Sequence, residues 1–328
     1  MSVESNFPEF AQDAVNLASE KLGAVAVDCS DDFFADKQRL LSDAEPEFHK
    51  GRFDAHGQYM DGWESRRRRS GGFDWCVVQL AVPGIIAGFD INTAHFTGNY
   101  PPGASIQGAS SIDRPTDDDW VELLGEVSLH GNSHHFFAAL THDQPIRWVR
   151  LNIYPDGGVA RLKVYGQPVA DEVKPGAELE LSALKLGGKI VAYSDAHYGN
   201  PEVILTPGRG VNMGDGWETA RRRVPGNEWI IVKLGVPGVI ERIEVDTAHF
   251  KGNYPGGCSL QAAFMPNLGK DAIVTQAMFW DEVLAYEPLT ADAIHPFQVG
   301  SDAPVTHVKL NTYPDGGISR LRIFGKAI

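Results

Sequence analysis

The chain contains two copies of one pattern, and that duplication limits what it can fold into. Residues 61–105 match residues 215–259 without a gap at an offset of 154, with 25 identities in 45 positions. Residues 151–166 match 310–325 with 10 identities in 16. A weaker pair, Asp31-Asp32-Phe33-Phe34 and Asp195-Ala196-His197-Tyr198, falls in the same order and opposes Phe33 to His197. Solenoid units run to roughly 20–45 residues, so this period is too long for a stacked array and predicts two tandem domains. The expected division is an N-terminal segment 1–22, repeat one 23–167, a linker 168–186 and repeat two 187–328. The linker reading rests on the prolines and carboxylates between Pro168 and Leu186.

Within each copy the local pattern is β. Trp75-Cys76-Val77-Val78-Gln79-Leu80 and Trp229-Ile230-Ile231-Val232-Lys233-Leu234 are short runs of β-branched and aromatic residues. Val-Pro-Gly follows both and predicts a change of chain direction. Residues 85–93 and 239–247 are the next strands. Residues 147–153, Pro155-Asp156-Gly157-Gly158 and residues 159–165 then read as strand, tight turn, strand, because Pro presets φ and Gly accepts positive φ. Helical spacing is confined to residues 10–22 and 37–41. Many short strands between turn residues predict an all-β protein, each copy a sandwich or jelly roll.

Composition narrows the partners. A formal charge of −14 argues against nucleic acid or an anionic membrane surface. Three unclustered cysteines, Cys29, Cys76 and Cys258, argue against a disulfide framework and for the reducing cytosol. The first twenty residues lack the basic start and apolar core of a signal peptide, and no apolar run approaches a membrane span.

Three motifs recur. The first is Asp-Gly-Trp-Glu followed by arginines, Arg66 to Arg69 after Glu64 and Arg221 to Arg223 after Glu218. A solvated charge run is the bland alternative. Recurrence beside a Trp-Glu pair in an acidic chain favours Arg67, Arg68, Arg221 and Arg222 as a clamp for a small carboxylate, since guanidinium binds carboxylate with two parallel hydrogen bonds. The second motif, Thr-Ala-His-Phe-x-Gly-Asn-Tyr-Pro, ends a strand and opens a loop. It presents His95, Asn99 and Tyr100 in copy one and His249, Asn253 and Tyr254 in copy two. Histidine suits acid–base work near neutrality; the alternative is that these residues only cap the sandwich. The third, Asn-x-Tyr-Pro-Asp-Gly-Gly-x-x-Arg-Leu, places Arg161 and Arg320 on a returning strand, where they could point into a site. Glu64, His95, Glu218 and His249 are the candidate acid–base groups. The clamp arginines, Asn99, Tyr100, Asn253, Tyr254, Arg161 and Arg320 are the candidate substrate contacts.

Asp195-x-His197 and the cluster His130, His134, His135 have the chemistry of metal ligands but no specific ligand spacing, so a divalent metal is conceivable and not predicted. No nucleotide-binding fingerprint or nucleophile elbow is present, so no organic cofactor is expected.

Asp61-Gly62-Trp63-Glu64-Ser65-x-Arg67-Arg68-Arg69, Thr93-Ala94-His95-Phe96-x-Gly98-Asn99-Tyr100-Pro101 and Tyr154-Pro155-Asp156-Gly157-Gly158, with their second copies, closely resemble the allantoicase family. The resemblance covers nearly the whole chain from about Cys29. It implies a tandem pair of jelly rolls of the galactose-binding-like, or discoidin-like, type and a homo-oligomer. It also implies a hydrolase acting on C–N bonds of linear amidines, converting allantoate to (S)-ureidoglycolate and urea. The rival readings are a ligand-binding jelly-roll protein without catalysis, because fold alone does not settle function, and another ureide-pathway hydrolase that acts on ureidoglycolate.

Overall fold

The computed structural model describes residues 8–12, 14–169, 173–300 and 302–328. They form two compact units divided between Ala170 and Asp171. Each is an all-β jelly-roll sandwich, as the strand-and-turn pattern predicts.

In the first unit the strand Asp74–Asn92 is the spine. Its first half pairs with Val25–Cys29 and Ile146–Tyr154, its second half with Arg161–Pro168 and Phe136–Ala138. Gly103–Ala109 continues beyond Ile146–Tyr154, and Val121–Ser128 beyond that, every pairing antiparallel. One long strand is thereby shared between two layers, a corner device of packed sheets. Side chains from both halves, Cys76, Val78, Ile86, Phe89 and Ile91, meet Leu151, Ile153, Leu162 and Val164 in one core. Burial of each aliphatic side chain contributes roughly 1.5–3 kcal/mol. The second unit repeats the plan around Glu228–Asp246, which pairs with Lys189–Tyr193, Pro304–Tyr313, Arg320–Ala327 and Ile294–Gln298. Ile230, Val232, Ile243, Val245, Leu310 and Ile323 are buried there.

Four expectations change. Val82-Pro83-Gly84 does not reverse the chain; the strand runs through it and the register jumps, Ile146 opposing Gly84 while Trp148 opposes Gln79. Proline has no N–H for a ladder and is tolerated where the strand changes partners. Next, Pro155-Asp156-Gly157-Gly158 does not close a hairpin, because Ile146–Tyr154 and Arg161–Pro168 both pair with Asp74–Asn92 and not with each other. Third, the helical spacing of residues 10–22 yields only the helix Glu9–Gln12 and the turn of 3-10 helix Glu20–Leu22. Between them Val15–Asn16 pairs with Arg161–Pro168, and Asn16 Oδ1 accepts the N–H groups of Ala18 (3.2 Å) and Val164 (3.0 Å). A side chain that satisfies backbone donors in this way competes with helix.

The fourth concerns the linker. Glu178–Glu180 lies in the stretch read as linker yet pairs with Arg320–Ala327, Leu181 is fully buried, and Leu184–Leu186 is a 3-10 helix. Each unit therefore opens with a short strand laid on its own closing strand. The folded units start earlier than residues 23 and 187 because a sandwich edge gains hydrogen bonds from a segment that sequence similarity alone does not mark. No helix among the described residues is long and apolar enough to cross a membrane.

Candidate active site

The two-residue strand Trp63–Glu64 pairs with Gly158–Val159. Alternation sends Trp63 into the core, where it is fully buried and its indole N–H donates to Asp31 O at 2.8 Å. Glu64 is turned the other way. The backbone of Glu64 is fixed by Ala35, N–H to O and O to N–H, both at 3.2 Å. Its carboxylate accepts a 2.7 Å hydrogen bond from Asn99 Nδ2. Burial raises the Glu64 carboxyl above its ordinary range, and the Asn99 bond opposes that shift only in part.

The arginine run leaves this strand under tight control. Ser65 N–H donates to Gly157 O at 3.1 Å, and Arg68 N–H donates to Asp156 Oδ2 at 2.8 Å. Asp31 accepts both the backbone N–H and the guanidinium of Arg66. Burial alone would raise Asp31, but the hydrogen bonds from Arg66 and Phe33 outweigh it and hold its carboxyl below the usual range. Arg68 Nη1 reaches the buried Asp74 at 2.5 Å. Arg67 has no ion-pair or hydrogen-bond partner among the described residues. Of the four consecutive arginines, Arg66 and Arg68 are neutralised by their own chain; Arg67 and Arg69 have no partner among the described residues, and of these two it is Arg67 that lines the site cavity.

The loop carrying Asn99 and Tyr100 closes against Pro155-Asp156-Gly157-Gly158. Gly158 N–H donates to Asn99 O at 2.7 Å, and a Cβ on Gly157, which sits at φ 142°, would fall 2.8 Å from that same oxygen. The glycines are needed for this close approach. Between the loops lies a cavity of about 610 Å³ whose walls include Phe34, Glu64, Arg67, Asn99, Tyr100 and Asp156; Arg68 also borders it. The size and the few convergent polar groups are those of a small-molecule site.

Other predicted site residues lie elsewhere. His95 is outside that lining; its ring Nε2–H donates to Pro46 O at 3.0 Å, it stacks on Phe48, and its backbone, at φ 67°, is held by Asn132 Oδ1. His249, at φ 69°, does the same with Gly210 O (2.7 Å) and Asp292 Oδ1 (2.9 Å). Both rings brace a loop, and His95 does so outside the cavity lining. Arg161 and Arg320 are corrected as substrate contacts. Each guanidinium is about 2% exposed, paired to Asp61 or Asp215 and bonded to backbone carbonyls, Ala44, Asp61 and Ala160 in the first case, Gly208, Asp215 and Ser319 in the second. They clamp the start of the Asp-Gly-Trp-Glu motif from inside. Arg320 also borders a separate cavity of about 440 Å³, where Arg209 and Arg322 are ion-paired to Asp246, Asp292 and Glu180.

Two of the histidines considered for metal, His134 and His135, have ring hydrogen bonds of their own. His135 donates to Ile91 O and accepts from His130 N–H, and His134 pairs with the buried Asp90 at 2.8 Å. Asp195 Oδ2 accepts the N–H of Ala220. Among the described residues no group of three or more His, Cys, Asp or Glu is placed to hold a metal ion.

The second unit rebuilds the first set. Trp217 donates to Asp195 O at 2.8 Å, Asn253 Nδ2 donates to Glu218, Arg222 pairs with Glu228 at 2.6 Å, Gly317 N–H donates to Asn253 O at 2.7 Å, and Arg221 has no partner among the described residues. Tyr254 is half-buried beside Asn253, as Tyr100 is beside Asn99. Residues that the motifs did not flag are Phe34 in the wall and the anchors Asp31 and Asp74. The weak Asp31/Asp195 repeat carried the signal for Phe34 and Asp31, and Asp74 falls opposite Glu228 in the ungapped match.

Comparison with known proteins agrees in both halves. The family model described as Allantoicase repeat matches residues 15–169 and again 179–328. A probable allantoicase of Burkholderia mallei is 52% identical over 328 residues, covering 98% of this chain and 97% of the relative. One of Photobacterium profundum is 53% identical over 326 residues, with the same coverage of 98% and 97%. The crystal structure of allantoicase from Saccharomyces cerevisiae superposes with a TM-score of 0.77 at 32% identity, covering 95% of this chain and 93% of that one.

Proposed function

The chain belongs to the allantoicase family, and on that premise we propose that it hydrolyses allantoate to (S)-ureidoglycolate and urea. The observation that carries this reading is Arg67, without a partner among the described residues and lining the cavity beside the Glu64–Asn99 pair. Allantoate has one carboxylate and a carbon that bears two ureido groups. One free guanidinium suits the carboxylate bidentately. Asn99 and Tyr100 offer amide and phenol groups to the ureido oxygens and N–H groups. The bond to one ureido nitrogen must break, and urea is a poor leaving group unless that nitrogen gains a proton. A carboxyl lifted by burial, as Glu64 is, keeps a proton to higher pH and suits that donation. Glu218, Arg221, Asn253 and Tyr254 offer the same groups in the second unit.

The test is urea release by the purified protein from allantoate and, separately, from ureidoglycolate, without organic cofactor. Urea from allantoate alone is expected. Urea from ureidoglycolate alone would move the protein to another step of ureide breakdown. Folded protein that yields no urea from either, with or without added divalent metal, would leave only a binding role.

A further inference from the structure

The duplication makes each unit a control for the other, and beside the strands that carry Glu64 and Glu218 they differ in kind. In the first unit the N–H groups of Phe34 and Ala35 both donate to Glu64 O, and Glu64 N–H donates back to Ala35 O, all at 3.2 Å. In the second unit His197 and Tyr198 donate to Glu218 O at 3.0 and 3.1 Å, and Glu218 N–H donates to Tyr198 O at 3.1 Å. Upstream, Asp31 O and Asp195 O receive the two Trp indoles. Phe34 follows Asp31 by three positions, whereas His197 follows Asp195 by two. The missing residue is restored by Gly199, at φ 76°, where a Cβ would lie 1.9 Å from Gly216 O, so only glycine fits. Asp36 and Asn200 then cap the next 3-10 helix in each unit. The hydrogen bonds therefore oppose His197 to Phe34, not to Phe33 as the ungapped sequence match has it.

Phe34 is part of the cavity wall. We infer that His197 occupies the matching wall beside Glu218 in the second unit and is a catalytic proton-transfer residue there, so that the two clefts are specialised. The rings of His95, His249, His135 and His295 each donate to a backbone carbonyl. The exposed ring of His197 has no such bond among the described residues and only meets Tyr198 edge-on at 4.4 Å. Its backbone N–H is bonded to the carbonyl of Glu218, whose carboxylate is held by Asn253.

The inference rests on the allantoate reading. As the bond from the central carbon to one ureido nitrogen breaks, its electron pair leaves with nitrogen. The imidazolium N–H supplies the proton that lets this nitrogen depart as urea. The neutral imidazole takes a proton from the water whose oxygen bonds to the carbon, and the histidine returns to its starting form. Phe34 gives the first unit a wall and no second proton carrier.

His197→Phe installs the residue that the first unit already carries at this place. Urea release should fall in kcat by about 10²–10⁴-fold, the range for loss of general acid–base catalysis. KM for allantoate should change less than about threefold, with the melting temperature preserved. His197→Gln, which keeps polarity but carries no proton, should lose kcat equally and stands in if the phenylalanine variant does not fold. A folded variant that keeps a tenth or more of kcat, or loses activity only through KM, overturns the inference while wild-type urea release leaves the functional reading intact. Wild-type protein that releases no urea overturns that reading and this one with it.

Discussion

Arg161 Nη2 and Asp61 Oδ2 meet at 2.8 Å with the guanidinium all but removed from solvent, and Arg320 and Asp215 repeat the pair at 2.9 Å. Charges buried this way are held by their geometry. Removing one partner leaves the other uncompensated and costs about 3–5 kcal/mol. Arg161→Ala should therefore lower the urea-unfolding free energy by about that amount. At temperatures where the variant is still folded, KM for allantoate should stay within a few-fold of wild type. A variant of normal stability with much weakened binding would return Arg161 to the substrate.

Neighbouring arginines should separate by role. Arg67 and Arg221 have no partner among the described residues, while Arg68 holds Asp74 and Arg222 holds Glu228. Lys at 67 or 221 cannot reproduce a bidentate fork. Each substitution should weaken allantoate binding at its own cleft by about 1.5–3 kcal/mol, with stability moved by less than about 0.5 kcal/mol. Arg68→Ala should instead lower stability by about 1–3 kcal/mol, because the buried Asp74 loses its charge partner. Calorimetric binding in a turnover-deficient background and thermal unfolding distinguish the two. Equal effects from both positions would contradict the division.

Much of this was legible in the sequence because the duplication is strong where side chains are constrained twice, by the core and by the cleft. Trp63-Glu64, Asn99-Tyr100 and the paired glycines recur since each is locked to a neighbour in the same unit. Their assembly into one cavity follows from the Gly157–Asn99 approach, which no local pattern encodes. Arg161 looked like a site residue for the same reason it is conserved between the copies: both copies need the clamp on Asp61 or Asp215. His95 misled because a histidine at a strand end reads alike whether it faces a ligand or donates to a carbonyl such as Pro46 O. The Phe34–His197 correspondence was hidden by a one-residue deletion compensated at Gly199, visible only in the backbone hydrogen bonds. The helix expected from Phe10 onward failed because Asn16 spends its side chain on backbone donors.

Stability should also report the protonation of Glu64. Its carboxyl is raised by burial in the folded protein. A group with a raised folded pKa contributes stability that is fully present below the unfolded value, about 4.3, and lost as pH rises through the folded value. Ionisation of the desolvated Glu64 as pH rises is thus a liability. Glu64→Gln, which can still meet Asn99 through its amide, should melt higher than wild type at pH 7 and show no such gain at pH 4. A gain at pH 4 equal to that at pH 7 would mean that ionisation is not the cause.

The same substitution, made in each unit, tests whether the clefts are equivalent. Glu64 and Glu218 share the backbone bonds of their strand and the amide of Asn99 or Asn253. They differ in what stands opposite on the wall, Phe34 in one case and His197 in the other. An imidazole adds a second proton carrier, whereas a carboxyl beside a phenyl ring must act without one. Glu218→Gln should therefore cost at least tenfold more in kcat than Glu64→Gln, with both variants folded. Two independent and equal sites predict a different result: each variant would retain about half of the wild-type kcat at unchanged KM, because the other cleft would still turn over. Half-activity in both would show that the wall difference has no catalytic consequence, and a larger loss at Glu64 would assign the chemistry to the first unit.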